Sequence, residues 1–341
     1  MRASPPGGKP LAGRVAVVTG ASAGVGRATA HRLAECGAAV ALIARDADAL
    51  AATQEEIESR GGRALAIPAD VADAAAVDAA ADRAAAEFGP LSIWINCAML
   101  TVFSPLERMS AAEFRRVTEV TYLGFVHGTM AALRHMRMPA EGAIVQVGSA
   151  LSYRGIPLQA AYCGAKHAIR GFTDSLRTEL LHQGRAIRLV MVQLPAVNTP
   201  QFDWARTHMQ REPRPAGPVV QPEVAAHAIV AAVSGSAREV WLGGSTLSTV
   251  LGQMVLPSYM DGYLARNAFQ AQQTSAAVRQ DRRDNLFEPV PHLHRTRGRF
   301  VEEARARAIS VGEGAVRLGL VAGGFVVTLL IGIALGWLLS A

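Results

Sequence analysis

Tyr162 and Lys166 stand four residues apart, and Lys166 is one of two lysines, with Lys9, in a chain whose lysines and arginines together number 34. Arginine fills nearly every other cationic position, so a lysine kept here points to a task that a broad guanidinium fork does not perform. An ammonium is a compact point charge on a flexible stem. Positions i and i+4 share a helix face. An ammonium beside a phenol favours phenolate and brings a pKa of about 10 toward working pH. Tyr162 is thereby a candidate general acid/base. The pair by itself also fits a solvated helix face, so its meaning depends on the elements around it.

Near the N-terminus, Arg14-Val15-Ala16-Val17-Val18 reads as a short buried strand that runs into Thr19-Gly20-Ala21-Ser22-Ala23-Gly24-Val25-Gly26, followed by an Ala-rich helix to about Cys36. Glycines at 20, 24 and 26 permit a tight turn, close approach of the backbone to a pyrophosphate and close helix packing. The helix N-terminus adds N–H donors and a positive dipole end. Further apolar runs at 40–43, 64–67, 91–95, 143–147, 187–193 and 239–242 alternate with helical stretches, which predicts an α/β doubly wound parallel sheet of about seven strands. Ligands of such sheets sit at the carboxyl ends of the strands. The glycine turn, Asn96, Ser149 and Pro195 all fall there.

Thr19-Gly20-x-x-x-Gly24-x-Gly26 together with Tyr162-x-x-x-Lys166 resembles the short-chain dehydrogenase/reductase family over residues 11–245, which implies a Rossmann-type fold. Ser149, 13 residues before Tyr162, matches the family's catalytic serine. The resemblance implies cofactor contacts from Gly20, Ser22, Gly24, Val25 and Gly26 in the first turn, from Asp70 and Val71 to adenine, and from the Asn96-Cys97-Ala98 segment. Pro195, Val197 and Thr199 would hold the nicotinamide end, and Lys166 the nicotinamide ribose beside Tyr162. At the end of the second strand, Ala44 occupies the family's acidic position and Arg45 follows it. A cation there suits a 2′-phosphate, so NADP is favoured over NAD. Asp46 reads as the N-cap of the next helix. Ala23 stands where many NADP-dependent relatives carry another basic residue.

The implied reaction moves hydride between nicotinamide and a carbonyl or carbinol carbon, Tyr162 exchanging the oxygen's proton and Ser149 stabilising its charge. Two positions depart from the family. Thr121-Tyr122-Leu123-Gly124 replaces an Asn-x-x-Gly pattern, so Thr121 would have to serve the proton relay without an amide's donors. Met99 replaces a glycine after Asn96. A catalytically impaired nucleotide-binding or scaffold protein is therefore the competing reading.

Cys36, Cys97 and Cys163 have no paired spacing, and the nine histidines form no ligand pattern, so neither a disulfide framework nor a metal site is expected. Residues 1–10 are polar, rich in Pro and Gly, and lack the apolar core of a signal peptide. Residues 318–339 carry no charge. As a helix they would span roughly 33 Å, enough for a bilayer core of about 30 Å. With arginines before this stretch and no cation after it, the expectation is a single-pass C-terminal membrane helix and a cytoplasmic catalytic domain. Net charge of +6 fits an anionic surface and does not call for nucleic acid. Gly319-x-x-x-Gly323 and Gly332-x-x-x-Gly336 offer a helix-packing face for a homo-oligomer. Between fold and anchor, 201–222 and the extension 246–275 read as a substrate lid and 276–317 as a polar tether. An apolar lid implies a lipophilic carbonyl or alcohol substrate.

Overall fold

Aliphatic runs separated by Ala-rich amphipathic stretches dictate alternating strands and helices. The computed structural model describes residues 9–136 and 142–323. Its main sheet comprises β1 (Val15–Thr19), β2 (Ala39–Ala44), β3 (Arg63–Pro68), β4 (Ile93–Asn96), β5 (Gly142–Ser149), β6 (Ile187–Leu194), β7 (Glu239–Leu242) and β8 (Ser310–Gly312). The spatial order is β8-β7-β6-β5-β4-β1-β2-β3. The first seven strands run parallel, in register such as Val17 beside both Ala41 and Trp94. Strand β8 returns antiparallel on the β7 edge, making eight strands where about seven were expected.

The helices are α1 (Gly24–Glu35), α2 (Ala47–Glu58), α3 (Ala74–Phe88), α4 (Ala111–Thr118), α5 (Gly124–His135), α6 (Ala160–His182), α7 (Gln201–Trp204), α8 (Pro222–Ser234), α9 (Gly244–Val255) and α10 (Pro257–Ala271). Alternate strand residues point to opposite faces. Val18, Leu42 and Ile95 pack on one face with Leu33 of α1 and Ile229 of α8. Val17, Ile43 and Trp94 pack on the other with Val77 of α3 and Leu180 of α6. Strand order reverses between β1 and β4, which opens a crevice at the carboxyl end of β1, where the glycine turn lies.

Residues 276–317, which read as a tether from composition, lie against the body of the fold. Leu286 is fully buried beside Val71, Ile67 and Val117. Ala304–Arg305 pairs with Val219–Val220, and β8 closes the sheet edge. The abundant arginines of this stretch are used in ion pairs such as Arg295–Asp203 at 2.5 Å and Arg297–Glu223 at 2.9 Å.

The expected transmembrane helix, the membrane location and the cytoplasmic placement built on it are corrected. Among the described residues no helix is long and apolar enough to cross a membrane. The helix entering this stretch begins at Glu313, whose carboxylate is paired with Arg317, so its first turns are charged. Residues 324–339 of the expected span, including Gly332 and Gly336, lie outside the described residues.

Candidate active site

The glycine turn is shaped by contacts that leave no room for side chains. Gly20 has φ +71°, and a Cβ there would lie 2.8 Å from the Ala98 Cα. At Gly26 a Cβ would lie 2.1 Å from the Gly20 carbonyl oxygen. Thr19 fixes the facing loop, because its hydroxyl oxygen accepts from the Cys97 and Ala98 N–H groups at 3.0 and 3.1 Å. The cap residue Ala23 offers no side chain to the first-turn N–H groups of α1. A glycine-rich backbone cradle at a helix N-terminus with no side-chain cap is what a pyrophosphate requires, so the residues present fit a dinucleotide.

From this turn a cleft of about 750 Å³ runs across the carboxyl ends of the strands. Gly20, Ser22, Gly24, Val25, Gly26, Arg45, Asp70, Val71, Ala98, Pro195, Val197 and Thr199 line it, as do Ser149, Tyr162 and Lys166. Ser149 ends β5, and its Oγ accepts from the Leu151 N–H at 3.1 Å. Tyr162 and Lys166 project from the first turns of α6. The Lys166 ammonium donates to the Val147 carbonyl at 2.7 Å and lies 4.6 Å from the Phe125 ring centroid and 5.5 Å from that of Tyr162. Burial brings Lys166 down to about 8, with Cys97 opposing. Tyr162 is pushed above the ordinary phenol value, by burial first and by Cys163 next, while a hydrogen bond from Ser149 opposes the rise. The phenol thus holds its proton at neutral pH, whereas the sequence reading had Lys166 drawing it toward phenolate.

Two residues expected at the site point elsewhere. Asn96 is fully buried, accepting from Trp94 Nε1 at 2.8 Å and donating to Gln146 Oε1 at 2.9 Å and Thr129 Oγ1 at 3.1 Å. It ties β4 to β5 and α5. Thr121, in a π-helical turn at 119–123, accepts from the Leu100 N–H and donates to the Leu100 carbonyl, both at 2.9 Å. These two bonds of one hydroxyl position the loop that carries Met99, which does line the cleft. Arg45 reaches the cleft wall, but its fork donates to the carbonyls of Asn285 at 2.5 Å and Phe287 at 2.6 Å. Asp46 caps α2 through the Ala49 N–H at 2.9 Å, as its position implied.

Sequence reasoning did not assign Leu151, Ile156, Met260, Tyr263 or Leu264, which also line the cleft. Nor did it find Asn285 and His294, which line the cleft beside Arg45 and Asp46. The apolar pair Leu286-Phe287 inside a polar stretch was the available signal for the latter.

Residues 14–210 match the short chain dehydrogenase family. Cis-4-hydroxycyclohexanecarboxylate dehydrogenase of Sinomonas cyclohexanicum is 37% identical over 239 residues, 68% of this chain and 94% of that protein. A short chain dehydrogenase/reductase of Burkholderia phymatum, solved in complex with NAD, superposes with a TM-score of 0.65 at 25% identity, covering 76% of this chain and 97% of that one. One from Burkholderia cenocepacia, in complex with NADP, gives 0.58 at 29%, covering 67% and 94%. With the glycine cradle, the switch-point cleft and the Ser149, Tyr162 and Lys166 cluster, these similarities show that the chain belongs to the short-chain dehydrogenase/reductase family and is an NAD(P)-dependent oxidoreductase of CH–OH groups.

Proposed function

We propose that this enzyme interconverts an apolar ketone or aldehyde and its alcohol, with Tyr162 exchanging the proton and NADPH preferred. The observation that carries this reading is the meeting of Ser149, Tyr162 and Lys166 in one cleft, between the glycine cradle and an apolar chamber. Bound NAD(P) supplies or accepts the hydride. In reduction the Tyr162 O–H donates its proton to the substrate oxygen, and solvent later restores it. The Ser149 hydroxyl donates a hydrogen bond to the same oxygen as charge develops on it. Lys166 keeps a positive charge beside the phenol and binds the nicotinamide ribose.

The first-turn residues Gly20, Ser22, Gly24, Val25 and Gly26 hold the pyrophosphate, Asp70 and Val71 the adenine, and Ala98, Pro195, Val197 and Thr199 the nicotinamide half. Residues 11–245 act as the catalytic domain and 246–275 as part of the substrate cover. The preference for NADPH rests on Ala44, which leaves no carboxylate at the end of β2 to repel a 2′-phosphate. Substrate character rests on Leu151, Ile156, Phe202, Met260 and Leu264 in the chamber.

The test is dinucleotide turnover by the full-length protein against carbonyls graded from small and polar to bulky and apolar, with cis-4-hydroxycyclohexanecarboxylate in the oxidative direction. Selectivity kcat/KM rising with apolar bulk, and higher with NADPH than NADH, is expected. Tight NADPH binding without turnover across the series would instead favour the catalytically impaired nucleotide-binding protein.

A further inference from the structure

The segment 282–295 lies outside the matched family region, which ends at residue 210, yet it spans both ends of the cleft. At the nucleotide end it is held by cations of the fold's core. Arg45 binds the carbonyls of Asn285 and Phe287, and Arg116 Nε donates to that of Leu286 at 3.1 Å. Arg27 Nη1 donates to the His294 carbonyl at 3.3 Å. The Gly24 N–H at the start of α1 donates to the Arg295 carbonyl at 3.0 Å. Between these points the Leu286 side chain is a fully buried peg.

At the lid end, Arg282 Nη2 donates to the Phe202 carbonyl at 3.0 Å, the Asn285 N–H to that of Trp204 at 3.0 Å, and Arg206 Nε to Asp284 at 2.9 Å. The His294 ring lies 5.0 Å from that of Trp204 and 3.5 Å from the Asp46 carboxylate. His294 and Asn285 both face the cleft.

We propose that residues 282–295 form a strap that is part of the dinucleotide site, walling its adenosine end, and that Arg45 is the latch of this strap rather than a ligand of the 2′-phosphate. A guanidinium fork can hold two carbonyls at once, which an ammonium of equal charge does not reproduce. The strap covers the cradle, so a dinucleotide enters or leaves when the strap lifts, and latch strength sets the exchange rate for NADH and NADPH alike. The inference rests on the cleft being the dinucleotide site, but it is read from binding alone and does not need turnover.

The experiment is stopped-flow displacement of bound NADH and of NADPH from the full-length protein, without substrate, for the native chain, Arg45→Lys and Leu286→Ala. Loss of one charge-assisted hydrogen bond corresponds to roughly a tenfold factor or more. Arg45→Lys is expected to raise the dissociation rates of both dinucleotides by about that factor, and Leu286→Ala to raise both through loss of its buried side chain, each leaving the NADPH-to-NADH affinity ratio within about twofold. Amides of 282–295 in the native chain are expected to gain protection from hydrogen exchange on dinucleotide binding. In a third variant, Arg45→Ala, weakening of NADPH alone would assign Arg45 to the 2′-phosphate and overturn the latch. Unchanged dissociation rates in Leu286→Ala, or strap amides indifferent to dinucleotide, would overturn the strap even if the Arg45 variants did not fold. Failure of either dinucleotide to bind at all would instead remove the reading on which the inference rests.

Discussion

At the scale of single residues, Lys166 is the group whose ionisation falls within reach of ordinary assays. Its ammonium is brought down to about 8 because burial disfavours the charged form, whereas Tyr162 is pushed up and remains a phenol. Under the proposed mechanism the rate of carbonyl reduction depends on a charge that disappears as pH rises through about 8, while the proton donor stays loaded. A profile of kcat/KM against pH is expected to be level below that value and to fall above it. A profile level to pH 9.5 or beyond, roughly 1.5 pH units past the lysine's value, would remove Lys166 from the step. Lys166→Arg is expected to lower turnover by about a hundredfold or more, because the broader guanidinium fills a site built around Val147, Phe125 and Tyr162.

At the scale of elements, the start of α4 holds the lid. Ser110 caps the helix and Glu113 returns the capping-box bond, while Glu113 also meets His208 at 2.9 Å and Arg206 at 3.3 Å. Burial would push the Glu113 carboxyl up, but the Ser110 N–H, the His208 ring and the Ser110 hydroxyl bring it down to about 2. A depressed carboxylate stabilises the fold above its unfolded value of about 4.5 and loses that contribution as pH falls toward 2. Glu113→Gln is expected to cost about 2–3 kcal/mol at pH 7 and to flatten the loss of stability between about pH 4.5 and 2. Denaturant titrations across that range measure it, and an undiminished acid slope in the variant would contradict the assignment. The parallel strands, the glycine turn, the Asp46 cap and the Tyr162 helix were legible because each depends on local spacing. The side-chain partners of Asn96 and Thr121 were not legible for a different reason. Their side chains are claimed by partners distant in sequence, Gln146 and Leu100, which no local pattern reveals.

For the molecule as a whole, the stretch 282–295 and strand β8 are the least legible parts, since their polar composition matches that of a linker. Their order comes from long-range contacts: Leu286 in the core, β8 on β7, Arg45 of the core donating to strap carbonyls, and Arg282 of the strap donating to the Phe202 carbonyl. The same contacts join the cradle, the lid and the apolar chamber around one cleft, in which Tyr162 is the proposed proton-exchanging group. Carbonyl-dependent NADPH oxidation by the full-length protein, measured beside Tyr162→Phe with dinucleotide binding checked in both, tests that claim most directly. The account predicts a fall of about a hundredfold or more in kcat with dinucleotide affinity unchanged. Turnover in Tyr162→Phe within a few-fold of the native rate would contradict it.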